Sequence, residues 1–349
     1  MAAFRINERL ISRDHAPFII AEISANHNGS LKKAKASIKA AKNAGADAVK
    51  IQTYNPNTMT IDCDKEDFLI KGGLWDGYKL YDLYKEAHTP FEWHKDLFEF
   101  AKQIGITIFS TPFDETAVDL LEELNTPAYK IASFELCDLP LIKYVARKNK
   151  PLLMSTGMAS LEEIEDAVST AKENGCEKIF LFHCISSYPA PLEDANLKNI
   201  NFLRKTFDLE VGLSDHTIGN TAAIASVALG ASAIEKHFTL SRKEKGPDSE
   251  FSIEPEELSD LKLITSQTWS SLGREGLIRS EKEKSNKSFR RSLYFVKDLK
   301  KGSLINADDI RRIRPGYGIK PKFENAILGK KLIKDVEIGD SVTWDKIQN

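Results

Sequence analysis

The chain has 349 residues, of which 42% are hydrophobic and 29% charged, and its formal net charge is -2. These proportions are ordinary for a globular protein, and the small net charge gives no electrostatic reason to expect nucleic acid or an anionic membrane as a partner. No uninterrupted apolar run approaches the roughly 20 residues of a membrane span, and the four cysteines show no CxxC pairing, so we expect reduced thiols in a cytoplasmic protein.

Eight short apolar runs in the first two-thirds of the chain each end in a charged or hydroxyl-bearing residue. The runs are FIIAEI, AVKIQT, ITIFST, AYKIAS, LLMST, IFLFHC, EVGLSDH and AIEKH. An amphipathic helical stretch separates most of them. Eight parallel strands alternating with helices close into a barrel of roughly 250 residues, with the active site where the carboxyl ends of the strands converge. The pattern therefore predicts the α/β class, a (β/α)₈ TIM barrel, and the position of its site.

The longest connection between predicted strands runs from Tyr54 to about His88 and contains Trp75 and Tyr78. Its end, around Leu80, is predicted to add a helix whose inner face is apolar. Long loops at the catalytic face often set specificity, so we expect this loop to contribute to substrate choice.

Capping residues predict where two of the helices begin. In TPFEWHKDLFEFAKQIG, Thr89 is the expected N-cap and Pro90 the first helical residue. In ASLEEIEDAVSTAKENG, Ser160 and Glu163 have the spacing of a capping box.

The charged stretch EGLIRSEKEKSNKSFRR has little periodicity and predicts a domain boundary. We expect a barrel over residues 1–280, a linker over 281–288 and a second domain over 289–349. Short strands and glycine turns in this last part predict a small, mostly β module with a thin core of its own.

Two histidines, His216 and His237, close the last two predicted barrel strands. Neighbouring strand ends bring two imidazoles within reach of one divalent cation, which water and substrate oxygens would complete. The pattern predicts a divalent metal site for Mn²⁺, with Mg²⁺ and Co²⁺ as alternatives. His183, one strand earlier, fits a core histidine bonded to a backbone carbonyl equally well.

Cationic and hydroxyl groups surround this predicted site and would suit a phosphate, which needs both charge and directed donors. They are Lys50, Lys130, Thr111, Ser133, Ser155, Ser186 and Ser214. Carboxylates belong to the same face, namely Glu22, Glu135, Glu235 and Asp248. General acid–base work is one role for them, and ion pairing with the lysines is the alternative.

These motifs resemble the sialic acid synthase family, whose members condense phosphoenolpyruvate with an amino-sugar aldehyde to give a nine-carbon 2-keto acid. The resemblance covers essentially the whole chain. Motifs in family order are AEISANHNG, AVKIQTY, FSTPFD, YKIAS, HCISSYPAP, GLSDHTIG, EKHFTL and KGPDSEFS. The C-terminal VKDLKKGSLI and RPGYGIKP resemble the family's antifreeze-like (SAF) domain. The resemblance implies a transferase that forms a C–C bond, with a barrel followed by a SAF domain.

Within the family, GLWDGYKLYDLYKEAHTPFEWH and the Ser186 of HCISSYPAP resemble the pseudaminic acid synthase branch. The implied sugar is 2,4-diacetamido-2,4,6-trideoxy-β-L-altropyranose, which the aromatic loop around Trp75 fits. N-acetylneuraminate or legionaminate synthesis on the same scaffold is the alternative.

The resemblance also implies roles for single residues. His216 and His237 would hold the metal, which polarises the aldehyde oxygen. Glu22, Glu135 and Lys130 would be catalytic, with the two glutamates positioning water and the reacting hydroxyl. Phosphoenolpyruvate and the sugar would contact Lys50, Gln52, Thr111, Ser133, Ser155, Ser186, Tyr188, Ser214, Glu235, Asp248 and Arg314, among which Tyr188 and Asp248 face sugar hydroxyls. Arg314, on the SAF domain, would reach the sugar site of a partner in a domain-swapped homodimer.

Two functions of other classes compete with this interpretation. A barrel metallohydrolase commonly has an HxH pair at its first strand, where this chain has Ala-Glu-Ile-Ser. A carbohydrate-binding protein with an inactive barrel would not need the set formed by Lys50, Lys130, His216 and His237.

Overall fold

The structure, a computed structural model, describes residues 4–348. Within them, parallel strands β3 to β10 close into a barrel in the order β10-β3-β4-β5-β6-β7-β8-β9. The strands are β1 (Arg5–Ile6), β2 (Arg9–Leu10), β3 (Phe18–Glu22), β4 (Ala48–Thr53), β5 (Thr107–Pro112), β6 (Tyr129–Ile131), β7 (Leu152–Ser155), β8 (Ile179–Cys184), β9 (Glu210–Asp215), β10 (Ala233–His237), β11 (Ser292–Phe295) and β12 (Ile310–Ile313). The eight predicted runs all form barrel strands, so the predicted barrel is confirmed.

Helices lie between the barrel strands and after the last of them. They are α1 (Leu31–Asn43), α2 (Pro56–Met59), α3 (Leu80–Ala87), α4 (Phe91–Ile104), α5 (Glu115–Glu123), α6 (Leu139–Ala146), α7 (Leu161–Glu173), α8 (Asn199–Phe207), α9 (Thr221–Ala228), α10 (Pro255–Leu272), α11 (Glu281–Ser285) and α12 (Glu324–Ile327). The long 54–88 connection contains α2 and α3, as its apolar pattern predicted in part. Within residues 4–348, no helix is long and apolar enough to cross a membrane.

An apolar layer fills the amino end of the barrel. The β1–β2 hairpin brings Phe4, Ile6 and Ile11 into a buried cluster with Phe18 and Phe180, which lie near the starts of β3 and β8. The ring centroids of Phe4 and Phe180 are 5.1 Å apart. Since this end is packed with side chains, the carboxyl ends of the strands form the side at which a ligand can enter.

The helix caps agree with the sequence prediction at α7 and disagree at α4. Ser160 and Glu163 form the predicted capping box, in which each side chain accepts from the other residue's backbone N–H. Helix α4 instead begins at Phe91 with Pro90 as its N-cap, so the prediction of Thr89 as the cap is wrong. Thr89 is buried, and its hydroxyl lies 3.4 Å from the His27 ring, which takes it away from the helix end.

The chain divides into two compact units, one up to Gly273 and one from Arg274 onward. The second unit has the antiparallel pair β11–β12 and a separate core that includes Leu293, Phe295 and Ile310. The stretch 281–288, predicted as a linker, contains α11 and the start of a short 3-10 helix. The small, mostly β module that the sequence predicted therefore has its own core.

Candidate active site

Four charged side chains meet inside the barrel near the carboxyl ends of its strands. The Lys50 ammonium lies 2.5 Å from Glu22 Oε2 and 3.6 Å from Glu235 Oε1. The Lys130 ammonium donates to both oxygens of Glu235, at 3.0 and 3.1 Å. None of the four residues is more than 5% exposed. For Glu22 and Glu235, the ion pairing that the sequence left open as an alternative is therefore present.

Burial and mutual charge set the protonation of this cluster. Burial raises the pKa of Glu22 to about 7, although the Lys50 charge opposes the rise. Burial alone would lower the pKa of Lys50, but the charges of Glu22 and Glu235 outweigh it and raise that pKa. For Glu235, the two lysines outweigh burial and lower the pKa, whereas burial dominates for Lys130 and lowers its pKa. A protonated Glu22 leaves two lysines facing one carboxylate, an environment that favours an anion.

Hydroxyl groups border this cluster on one side. Lys50 donates to Thr111 Oγ1 at 3.0 Å, and Ser214 Oγ lies 3.5 Å from Glu235 Oε1. Ser155 Oγ is buried without a hydrogen-bond partner among the described residues. Because a buried hydroxyl normally finds a partner, Ser155 is available to a ligand.

Gly157 joins Ser133 and Ser186 into a tight group at the end of β7. The Gly157 N–H donates to Ser133 Oγ at 3.1 Å. A Cβ at this position would clash with the hydroxyls of both Ser186 and Ser133. Only glycine lets the backbone approach these hydroxyls so closely, and its N–H fixes the position of the Ser133 hydroxyl.

The two histidines are neighbours, with ring centroids 5.4 Å apart. His216 Nδ1 lies 3.0 Å from the Ile185 carbonyl oxygen, and His237 Nδ1 lies 3.7 Å from Asp248 Oδ2. Burial lowers the pKa of His237 well below its ordinary 6.5 and keeps that ring neutral. Burial acts in the same sense on His216, but the Cys184 sulfur outweighs it and raises the pKa of that ring.

A cavity of about 480 Å³ opens above these groups. Polar side chains on its wall include Gln52, Glu135, Ser186, Tyr188, His237 and Asp248. Most of the remaining wall is aromatic or apolar, including Trp75, Tyr84 and Phe113. Burial raises the pKa of Glu135 to about 7, and its Oε2 has no partner among the described residues. A polar end and an apolar wall suit a ligand that has both kinds of surface.

Trp75 connects two loops over this cavity. Its indole N–H donates to the Pro247 carbonyl at 3.1 Å, and its ring centroid lies 5.7 Å from that of Tyr188. The Tyr188 ring in turn lies 4.4 Å from the His216 ring. The 54–88 connection thus contributes directly to the cavity wall, as its position predicted.

Comparison with known proteins matches residues 37–276 to the NeuB family and residues 290–348 to the SAF domain. The chain is 47% identical to a pseudaminic acid synthase of Campylobacter jejuni, over 94% of this chain and 96% of that protein. It is 43% identical to a pseudaminic acid synthase of Helicobacter pylori, over 95% and 98% of the two chains. The chain belongs to the NeuB family.

More distant relatives show how widely the family's members share this chain's architecture. An N,N'-diacetyllegionaminic acid synthase of Campylobacter jejuni is 39% identical over 91% of this chain and 96% of that protein. The crystal structure of an N-acetylneuraminic acid synthetase from Leptospira borgpetersenii in complex with citrate has a TM-score of 0.74 and 33% identity, covering 81% of this chain and 94% of the other. The protein is therefore an enzyme of the phosphoenolpyruvate-dependent nonulosonic acid synthases, and phosphoenolpyruvate and an amino sugar are the implied substrates.

The residues of this NeuB-family barrel fit a divalent cation held by two imidazoles. No group of three or more His, Cys, Asp and Glu residues within 4–348 is arranged to hold a metal ion. His237 Nδ1 is nevertheless buried without a hydrogen-bond partner in that part of the chain, and its ring is held neutral, as ligation requires. The two imidazoles could supply two nitrogen ligands, which leaves the other positions of a divalent cation for water and substrate oxygens.

Within the first unit, the structure brings together the residues predicted for the site. Glu135 and Asp248 have no lysine or arginine partner among the described residues, unlike Glu22 and Glu235. Asp248 accepts from the Ala25 N–H at 3.3 Å and lies beside His237, so it also serves the loop after β3. Arg314 is exposed and belongs to the second unit.

Sequence reasoning missed Gly157 and left His183 open. The signal for Gly157 was its place directly after Ser155 and Thr156 at a strand end, where a backbone N–H faces the mouth of a barrel. His183 Nε2 lies 2.7 Å from the Ala195 carbonyl oxygen. His183 is therefore a core histidine bonded to a backbone carbonyl, which was one of the two interpretations.

Proposed function

We propose that this enzyme is a pseudaminic acid synthase. It would condense phosphoenolpyruvate with 2,4-diacetamido-2,4,6-trideoxy-β-L-altropyranose and water to give pseudaminic acid and phosphate by C–O cleavage. The observation that carries the proposal is the 47% identity to a pseudaminic acid synthase over nearly the full length of both chains, against 39% to a legionaminic acid synthase. The apolar wall of the cavity supports it, because a sugar with a deoxy carbon and acetamido methyl groups presents apolar surface.

The buried lysines and the neighbouring serine hydroxyls are suited to hold phosphoenolpyruvate. In this proposal Lys50 and Lys130 face its charged groups, while the hydroxyls of Ser133, Ser155 and Ser186 donate to phosphate or carboxylate oxygens, and the Gly157 N–H holds Ser133 in place. Thr111 and Ser214 keep the lysine and glutamate side chains in place. Charge-assisted hydrogen bonds of this kind are about twice as strong as neutral ones. By holding the phosphate and carboxylate of the substrate, they would fix the position of the enol carbon that reacts.

The reaction then proceeds through one C–C bond formation and one C–O cleavage. The C3 carbon of the enol attacks the aldehyde carbon of the open-chain sugar, and the aldehyde oxygen takes up a proton to become a hydroxyl. Water adds to C2 and loses a proton. The bond from C2 to the phosphate oxygen then breaks as the new C2 hydroxyl gives up its remaining proton to the departing phosphate, which releases phosphate and leaves the 2-keto acid.

Glu22 and Glu135 are placed to move or hold these protons. Each has a pKa of about 7, so at neutral pH each can give or accept a proton at low cost. Gln52, Tyr188 and Asp248 on the cavity wall would contact sugar hydroxyl and amide groups. A divalent cation held by His216 and His237 would polarise the aldehyde oxygen as a Lewis acid.

A substrate panel tests this proposal. Purified protein is supplied with phosphoenolpyruvate, Mn²⁺ and one of several acetamido sugars, and the keto acid is identified by mass. We expect the altrose derivative to exceed N-acetylmannosamine in kcat/KM by roughly a hundredfold or more. Equal specificity constants would assign the enzyme to the neuraminate branch, and preference for the legionaminic precursor would assign it to that branch.

We also propose that the enzyme works as a homodimer in which Arg314 of one chain serves the sugar site of the other. Residues 274–349 contain 19 lysines and arginines against 11 aspartates and glutamates, whereas residues 1–273 contain 30 against 40. Opposite net charges on the two units favour association between copies of the chain. Arg311 and Arg314 border a groove of about 990 Å³ that is lined by further arginines, which gives the second unit a concentrated positive surface.

Mixing two inactive variants tests the shared site. If each Arg314 serves the other barrel, a mixture of Arg314→Ala and Lys130→Ala chains contains heterodimers with one intact site. The activity of each heterodimer then approaches half of that of the wild-type dimer. If each second unit serves its own barrel, every site carries one lesion and mixing restores nothing. A fully active monomer would contradict the proposal directly.

We also propose that this chemistry takes place in the cytoplasm. The cysteines among the described residues are free, which supports a reducing location.

A further inference from the structure

A fully buried ion pair lies directly behind the two histidines. Lys236 Nζ donates to Asp215 Oδ2 at 2.7 Å, and the two residues are paired across β9 and β10 in the strand register. Asp215 is 3% exposed and Lys236 1%. Neither residue faces the cavity or the charge cluster of the active site, and the proposed chemistry uses neither.

Strand alternation explains why the pair is close to the site but outside it. Successive side chains of a strand point to opposite faces. Glu235 and His237 point into the barrel, so Lys236 between them points out towards the helices. Asp215 likewise lies between Ser214 and His216, and Ser214 Oγ is 3.5 Å from Glu235 on the inner face. One ion pair thus joins the outer faces of the two strands whose inner faces hold both histidines.

The pair also fixes the backbone that follows His216. Asp215 Oδ1 accepts from the Thr217 N–H at 2.9 Å and from its hydroxyl at 2.8 Å. Lys236 Nζ donates to the Thr217 carbonyl oxygen at 2.6 Å. Every hydrogen-bonding group of Thr217 is therefore tied to Asp215 or Lys236. His216 lies between two residues of this network, and its own carbonyl accepts from the Ala190 N–H.

We propose that Asp215 and Lys236 are positioning residues that hold His216 and His237 at the separation needed to bind one divalent cation, an inference that rests on the proposed metal site. Removing two charges from water costs several kcal/mol for each ion, and replacing such a pair with apolar residues is often neutral or stabilising. Stability alone therefore gives no reason for an ion pair here. Groups that orient the ligands of a metal typically change its affinity by about tenfold to a hundredfold when they are altered.

Binding of Mn²⁺ alone, without substrates, tests the inference by electron paramagnetic resonance, which counts free Mn²⁺. Single variants Asp215→Asn and Lys236→Met are compared with the double variant Asp215→Leu/Lys236→Met, in which no unpaired charge is left in the core. We expect the Kd for Mn²⁺ to rise about tenfold or more in all three. In the double variant the thermal midpoint should be higher than in either single variant, because no unpaired charge remains, while the weak binding persists. Steady-state kinetics should give a lower kcat with an unchanged KM for phosphoenolpyruvate.

The Lys262–Asp47 ion pair provides a matched control. Its ammonium and carboxylate are 2.6 Å apart, and Asp47 precedes β4 at the amino end of the barrel. Lys262→Met should lower the thermal midpoint and leave the Kd for Mn²⁺ unchanged.

Wild-type Mn²⁺ affinity in the folded double variant, or in either folded single variant, would overturn the inference. Loss of folding in all three variants would also overturn it, because the pair would then be needed for the fold itself. His216→Ala separates this from a failure of the proposed function. If that variant binds Mn²⁺ as the wild type does, the metal site itself is elsewhere.

Discussion

Glu135 offers a quantitative test of the active-site electrostatics. Its carboxyl group lies on the cavity wall, and burial raises its pKa from the ordinary 4.5 to about 7. A protein with a raised carboxyl pKa binds a proton more tightly when folded than when unfolded. The stabilisation that comes from this tighter proton binding is fully present below pH 4.5 and is lost as the pH rises through about 7. A shift of this size is equivalent to about 3 kcal/mol, since one pKa unit corresponds to about 1.4 kcal/mol.

Glu135→Gln removes this penalty, because the amide is uncharged at every pH. We expect the variant to be more stable than the wild type by up to about 3 kcal/mol near pH 8.5 and to differ little near pH 4.5. The same variant should lose most of its synthase activity, since the proposed proton-handling group is gone. Gain of stability with loss of function is the usual result of replacing a catalytic group whose environment destabilises the fold.

Urea unfolding followed by tryptophan fluorescence measures this difference. Trp344 is the one tryptophan of four that belongs to the second unit, so a Trp344→Phe background restricts the signal to the barrel. Glu99→Gln, on the exposed face of α4, is the matched control and should change stability by less than about 0.5 kcal/mol at either pH. If Glu135→Gln is no more stable than the wild type near pH 8.5, the burial argument for its raised pKa is refuted.

Three further predictions concern the metal, the loop and the fold. His216→Ala and His237→Ala should each abolish Mn²⁺ binding and lower activity by at least roughly a hundredfold, with an unchanged circular dichroism spectrum. Because the pKa of His216 is raised, Mn²⁺ binding by the wild type, measured by titration calorimetry, should weaken as the pH falls. Trp75→Phe removes the hydrogen bond to Pro247 and should raise the sugar KM about fivefold to tenfold, with the KM for phosphoenolpyruvate unchanged; equal changes in both would argue against a role in sugar selection. Ser160→Ala removes the capping box of α7 and should cost about 1 kcal/mol of stability at wild-type turnover, whereas unchanged urea unfolding would contradict the cap seen in the structure.

The barrel and the location of its site could be predicted from the sequence because both depend on local patterns. Eight apolar runs of strand length, separated by helical periodicity, leave one closed arrangement. Each run ends in a polar residue, and parallel strands bring those ends together, so Lys50, Lys130, His216 and His237 were expected at one mouth. The capping box at Ser160 and Glu163 was also predictable, because it depends only on contacts three residues apart.

Only the tertiary structure decided which of these groups contact each other and which stand without a partner. The sequence did not decide which glutamates form ion pairs. In the described part of the fold, Glu22 and Glu235 pair with lysines, while Glu135 has no such partner. Thr89 had the pattern of a cap, but its contact with His27, distant in sequence, takes its hydroxyl elsewhere. The pair Asp215–Lys236 requires the register of two strands, and the bond from Trp75 to Pro247 joins loops that are far apart in the chain. Such contacts depend on strand register and loop packing, which no local pattern specifies, and they determine the charge and shape that the site presents.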